Sequence, residues 1–156
     1  MRLTICAVGR LRKGPEADLI ANYLARATRT GRALGLGAAS VIEVEDRKGG
    51  GQQAEAALLS KAIPDRARVI ALDERGTLMT SPDLANLVAR WRDDGIPETA
   101  FVIGGADGLT DEMRARSDHL LSFGRMVWPH MLARAMLAEQ IYRATTILAG
   151  SPYHRV

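Results

Sequence analysis

Ala100-Phe101-Val102-Ile103 runs straight into Gly104-Gly105-Ala106-Asp107-Gly108, and Thr110 follows with Asp111 and Glu112 behind it. A short apolar run bounded by glycines reads as a buried strand. Thr110 before two acidic residues reads as the cap and first turn of a helix, where the macrodipole favours negative charge. A strand that turns through glycines directly into a helix is the unit from which parallel α/β sheets are built.

The same unit recurs on both sides of it. Leu3–Val8 is an apolar strand ending at Gly9, and the helix over Glu16–Arg32 carries Leu19, Ile20, Tyr23 and Leu24 at helical spacing, with Pro15 in its first turn. Ala39–Val44 is a second strand, followed by the polar glycine loop Arg47–Gly51 and a helix over Gln52–Ile63 that Pro64 helps to end. Arg68–Leu72 is a third strand, and Ser81 before Pro82 and Asp83 reads as the cap of a helix reaching about Trp91. Leu120–Trp128 mixes turn and strand, and Pro129 opens a last helix that Gly150 stops. Nothing repeats and no linker divides the chain. The alternation implies an α/β fold: a mainly parallel sheet with helices on both faces, residues 1–156 forming a single domain.

Composition agrees. The chain has 156 residues, 47% hydrophobic and 25% charged, which is ordinary for a globular domain with its own core. The lone cysteine, Cys6, lies in the first strand and excludes an internal disulfide or a cysteine-rich zinc site. Arginines interrupt every apolar stretch well short of the roughly 18 residues a membrane span needs. The first apolar run meets Arg10, Arg12 and Lys13 without a small-residue cleavage pattern, so no signal peptide is read and a cytoplasmic protein is expected. The net charge of +3 is modest, but Arg10, Arg12, Lys13, Arg26, Arg29, Arg32, Arg47 and Lys48 fall in clusters. Such clusters suit a polyanion, and equally an ordinary solvated surface.

Ligands of open parallel sheets bind beyond the carboxyl ends of the strands. That rule selects three segments: Leu72-Asp73, the glycine loop after Ile103, and the stretch before Pro129. The glycine loop is neither a P-loop nor a dinucleotide fingerprint, so by itself it is a ligand loop or simply a tight turn. Asp73 serves equally as a ligand contact or a turn former. Glu139 and Arg143 form an intrahelical pair four residues apart, on a helix apolar enough to face a partner. Tyr153-His154-Arg155 offers a stacking ring, a group titrating near neutrality and a fixed cation, unless it is a frayed tail. His119 and His130 have no partner histidine at zinc spacing, and no metal is implied.

Taken in order, these segments resemble one family. They are Ala7-Val8-Gly9, Tyr23-Leu24, Leu72-Asp73 with Gly76 and Ser81, Ile103-Gly104-Gly105 through Gly108-Leu109, Pro129-His130, Ala138-Glu139-Gln140-Ile141-Tyr142-Arg143-Ala144, and Pro152-Tyr153-His154-Arg155. The set is similar to the large-subunit ribosomal RNA methyltransferase H family of the SPOUT superfamily. The resemblance implies a SPOUT-type sheet whose C-terminal part is tied in a trefoil knot, which general topology rules disfavour. It implies a homodimer that binds S-adenosyl-L-methionine at Leu72, Gly104, Phe123, Gly124, Arg125, Met126, Val127 and Trp128. It implies transfer of a methyl group to N3 of a pseudouridine in helix 69 of 23S rRNA within the 70S ribosome, with no role for DNA or a membrane. Tyr153, His154 and Arg155 are the residues expected to act on the substrate, His154 as base or proton relay. Two departures stand out: Thr77 replaces a frequent lysine, and Phe123–Trp128 keeps the family's frame but not its usual residues. The alternative is a non-catalytic ribosome-binding or assembly factor. An oxidoreductase would need an acidic ribose contact after a glycine fingerprint on the first strand, which is absent.

Overall fold

A computed structural model describes residues 1–155. Along the chain run β1 (Arg2–Val8), α1 (Pro15–Gly31), a 3₁₀ turn (Arg32–Leu34), β2 (Ala39–Val44), α2 (Gly51–Ala62), β3 (Arg68–Leu78), α3 (Ser81–Asp93), β4 (Glu98–Ile103), α4 (Asp111–Arg116), β5 (His119–Ser122) and α5 (His130–Leu148). The five strands form one sheet in the order β2-β1-β4-β3-β5. Every neighbouring pair is parallel.

The inner strands β1 and β4 are buried on both faces, as continuous apolar strands require. Leu3, Ile5 and Ala7 of β1, with Ile70, Phe101 and Ile103, meet Ile20 and Leu24 of α1, Leu84 and Val88 of α3, and Leu137 and Ile141 of α5. Cys6 and Val8 alternate to the other face, where Val69, Ala71 and Val102 meet Leu59 of α2, with Leu109 and Met113 at α4. Burial, and secondarily the charge of Glu98, pushes the Cys6 thiol up to about 11. Among the described residues no helix is long and apolar enough to cross a membrane.

The structure departs from the sequence reading at β3 and α3. β3 does not stop at Leu72 but continues to Leu78. Leu72 and Thr77 both register against Leu121 of β5, so residues 73–76 arch out between two pairings of the same neighbour. The second pairing rests on Gly76, where a Cβ would stand 2.7 Å from the carbonyl carbons of Leu120 and Leu121. Periodicity carries no trace of such an interruption, because Asp73–Gly76 has the composition of an ordinary turn. The cap of α3 is Thr80 rather than Ser81: its hydroxyl accepts from the Asp83 N–H at 3.2 Å, and the Asp83 carboxylate accepts from the Thr80 N–H at 3.0 Å. That reciprocal arrangement satisfies two donors at once. Ser81 is left to donate to Gln140 of α5 at 2.7 Å.

Among the described residues two charged side chains are buried, Glu98 and, more fully, Arg134. Arg134, on the second turn of α5, is 0% exposed. Its Nη1 donates to Glu43 of β2 at 2.7 Å, and its Nη2 donates to the carbonyls of Val8 and Gly9, each at 3.0 Å. The same Glu43 oxygen accepts the Leu11 N–H at 2.8 Å. Desolvation lowers the Arg134 pKa, opposed by Glu43. Removing one member of a buried pair leaves the other uncompensated, at about 3 kcal/mol or more. Arg134→Met is therefore expected to lower unfolding free energy by about 3 kcal/mol in urea denaturation; Glu43→Gln, which keeps an acceptor, costs less.

Candidate functional site

Beyond the carboxyl ends of β3, β4 and β5 the chain encloses a cavity of about 300 Å³. That lies at the lower end of the range for small-molecule sites. Leu72, Gly104, Phe123, Gly124, Met126, Val127 and Trp128 all line it, together with Asp73, Ile103 and Gly105–Leu109. The three segments selected by the strand-end rule thus converge on one space. Arg125 belongs to the same loop but is not part of the lining.

Each wall has a local cause. Gly104 lets the loop after β4 fold back on itself: a Cβ there would stand 2.8 Å from the carbonyl carbon of Gly108. Gly108 sits at φ +72° and donates its N–H to the Gly105 carbonyl at 3.0 Å, closing the turn. Gln52, on the first turn of α2, donates its side-chain amide to the carbonyls of Asp107 at 2.8 Å and Leu109 at 3.2 Å. Behind the turn stands Glu55, whose carboxylate lies against Gly105 with Oε2 buried and unpartnered. Burial, then Asp107 and Asp46, raise its pKa.

Asp73 is both turn former and wall. One oxygen accepts the Arg75 N–H at 2.9 Å, and the other pairs with Arg114 of α4 at 3.2 Å, the two side chains being 8% and 16% exposed. Arg114 also donates to the Leu109 carbonyl and to Asp111. It thereby ties the loop after β4 to the loop after β3. Arg114 and His130 both line the cavity, and the sequence reading gave neither a place there. Helical spacing within α4 could have flagged an arginine pointing back along its own turn, but not its partner across the sheet. The loop over the mouth is apolar and open, with Met126 71% and Val127 84% exposed.

The tail lies elsewhere. Tyr153 donates its hydroxyl to Glu139 at 2.9 Å and stacks obliquely on Tyr142, with ring centroids 4.8 Å apart. Arg26 of α1 lies over the Tyr142 ring at 4.2 Å, and Arg143 over Tyr153 at 4.8 Å. Glu139 accepts from Arg143 at 2.7 Å, the intrahelical pair its spacing predicted. Burial first, and the bond to Glu139 second, push the Tyr153 hydroxyl up to about 12. Tyr153 and His154 are thus packed against α5 rather than frayed. Neither lines the cavity, and Arg155 is exposed. His154 lies beside Arg143, about 13 residues along α5 from His130, or roughly 20 Å at ~1.5 Å per residue.

Between cavity and tail runs an apolar groove lined by Leu19, Leu78, Met79, Leu132, Met136 and Gln140, among others. Leu78 at its edge is 66% exposed.

A parallel sheet with a ligand-sized cavity at its carboxyl ends defines an α/β protein built to bind a small molecule at strand-end loops. Residues 1–154 match the family model described as "Predicted SPOUT methyltransferase", and the chain belongs to that family. It is 65% identical over 156 residues to ribosomal RNA large subunit methyltransferase H of Dinoroseobacter shibae, covering 100% of both chains. It is 63% identical over 155 residues to the protein of that name from Roseobacter denitrificans, covering 99% of each. Among solved structures, a probable methyltransferase from Bordetella pertussis aligns with a TM-score of 0.54 at 17% identity, over 92% of this chain and 95% of that one. A probable methylase family protein from Haemophilus influenzae aligns with a TM-score of 0.52 at 16% identity, over 99% of this chain and 70% of that one. At those identities the likeness is one of fold.

Gly104→Ala forces a Cβ against backbone that has nowhere to go. The expected cost is about 2 kcal/mol, seen as a fall of roughly 4–8 °C in Tm by calorimetry.

Proposed function

We propose that the chain, residues 1–156 acting as one domain, methylates N3 of a pseudouridine in helix 69 of 23S rRNA within the 70S ribosome. The observation that carries the reading is the convergence of Leu72, Gly104 and Phe123–Trp128 on a single cavity. The shared name of relatives at 65% and 63% identity supports ribosomal RNA as the substrate. The family's methyl donor is S-adenosyl-L-methionine, and the cavity suits it: apolar walls at Leu72, Ile103 and Val127 for the adenine, backbone groups of the 104–108 turn for its polar edge, and Asp73 beside them.

When bound, that donor supplies a sulfonium methyl already open to attack. The residues of the chain must then hold the acceptor nitrogen, the methyl carbon and the sulfur in line. Such placement contributes up to roughly 7–11 kcal/mol in favourable cases. The apolar 123–128 loop closes over the methyl donor and keeps water from the reacting centre. Arg155 grips a phosphate or steadies the imide, Tyr153 fixes the tail, and His154 faces the base. Arg10, Arg12, Lys13, Arg47 and Lys48 meet the rRNA backbone, which gives binding a steep salt dependence.

The enzyme acts as a homodimer. The tail, beside Arg143, stands 10 residues along α5 from Ala133 of its own chain's cavity wall, or roughly 15 Å at ~1.5 Å per residue, and the apolar groove between them fits a second copy of the chain. Two copies packed there in opposite directions bring the tail of one to the cavity of the other. We infer as well that the chain closes a trefoil knot at the cavity, in keeping with its family and with the double pairing of β3 on β5.

Incubation with methyl-labelled cofactor and ribosomes lacking this modification is expected to label one 23S pseudouridine. Arg155→Ala should slow transfer at least tenfold with cofactor affinity unchanged in calorimetry. An unaltered rate removes Arg155 from the reaction, and rRNA binding without cofactor binding makes the protein a ribosome-binding factor instead.

A further inference from the structure

The proton on His154 has a fixed address. Arg143 Nη1 stands 3.3 Å from His154 Nδ1. A guanidinium has only donors and keeps its charge in proteins. Nδ1 is therefore the acceptor and carries no hydrogen, and the proton of the neutral imidazole sits on Nε2. Arg143 is itself held. Its Nε and Nη2 donate to Glu139 Oε1 at 3.1 Å and 2.7 Å, and its face lies on the Tyr153 ring. Tyr153 donates to that same Glu139 oxygen at 2.9 Å, while Gln140 donates to the other at 2.9 Å.

We propose that His154 meets the pyrimidine as a hydrogen-bond donor through Nε2–H, not as the base that removes its proton, and that Arg143 and Glu139 are the positioning residues that set this tautomer. The proposal deepens the methyl-transfer reading and rests on it. An imide nitrogen attacks the methyl carbon only after losing its proton. With Nδ1 engaged and Nε2 already protonated, the ring has no free lone pair to take it, so the proton passes to water. The resulting anion spreads its charge over N3 and the two flanking carbonyl oxygens. Nε2–H, polarised by the cation on the far side of the ring, is suited to bond one of those oxygens. The N3–carbon bond then forms as the carbon–sulfur bond breaks, the anion becomes neutral, and the sulfonium leaves as a neutral thioether. A donor aimed at developing negative charge is worth on the order of 10²–10³ in kcat.

Two measurements test this. In full-length protein carrying ¹⁵N-histidine, long-range nitrogen–proton correlation at mildly alkaline pH should show His154 with a protonated Nε2 and a bare Nδ1, the signal assigned by its loss in His154→Gln. In Arg143→Met both shifts should move toward the averaged values of free imidazole. A protonated Nδ1, a charged ring, or no change in Arg143→Met overturns the proposal, whatever the protein methylates. In methyl transfer, His154→Gln offers an amide N–H near the position of Nε2–H but cannot act as a base. It is expected to stay within about tenfold of the parent, while His154→Ala loses about a hundredfold. Equal loss in both variants overturns the donor role. If no variant, nor the parent, transfers methyl to rRNA while the nitrogen signals are as described, the methylation reading falls and the tautomer assignment stands.

Discussion

A guanidinium with no access to water holds the working end of this sheet together. Arg134 reaches from α5 to the last carbonyls of β1 and to a carboxylate on β2. Those carbonyls would otherwise end a buried strand without partners. His130 and Ala133, four residues and one residue before the arginine, form part of the cavity wall. The position of the last helix, and hence the exit of the loop that precedes it, follows from a bond made on the opposite side of the sheet from β5. At the other end of β1, Arg2 and Thr4 both donate to Glu98, whose side chain is 4% exposed. The sheet is clamped by charge at both ends and by apolar contact between them.

Much of this was written in the chain in readable form. Strands β1 and β4 show themselves as apolar runs ended by turns, because a parallel strand buried on both faces has no polar side to confuse the pattern. Thr110 as a cap was legible because capping is local chemistry. What was not legible is long-range. Arg114 pairs with Asp73 from 41 residues away, and Arg134 with Glu43 from 91. No local window contains both members of either pair. The arch at residues 73–76 was hidden for a different reason: a glycine required by the closeness of another strand's backbone looks the same in sequence as a glycine required by its own φ.

The candidate site divides in the same way. Its cavity wall follows from the rule that open parallel sheets bind ligands at their carboxyl ends, applied to three strand exits. The tail was noticed only for its chemistry, and its surroundings came as new information. Tyr23, Tyr142 and Tyr153 cluster with Arg26, Arg143 and Glu139 on the face that α1 and α5 share. The intrahelical pair read from spacing is the centre of that cluster, and it does more than steady its own helix. It holds Tyr153 and His154 in a defined pose away from the cavity of the same chain.

Cys6 has a practical consequence. Thiol reagents and oxidants attack the thiolate, which is scarce for a sulfur shielded in the sheet and titrating at about 11. The protein therefore presents no reactive thiol to maleimides. A cysteine introduced at the exposed Val127 would be the sole reactive handle, giving the loop over the cavity a probe of its opening and closing with no background from the native thiol.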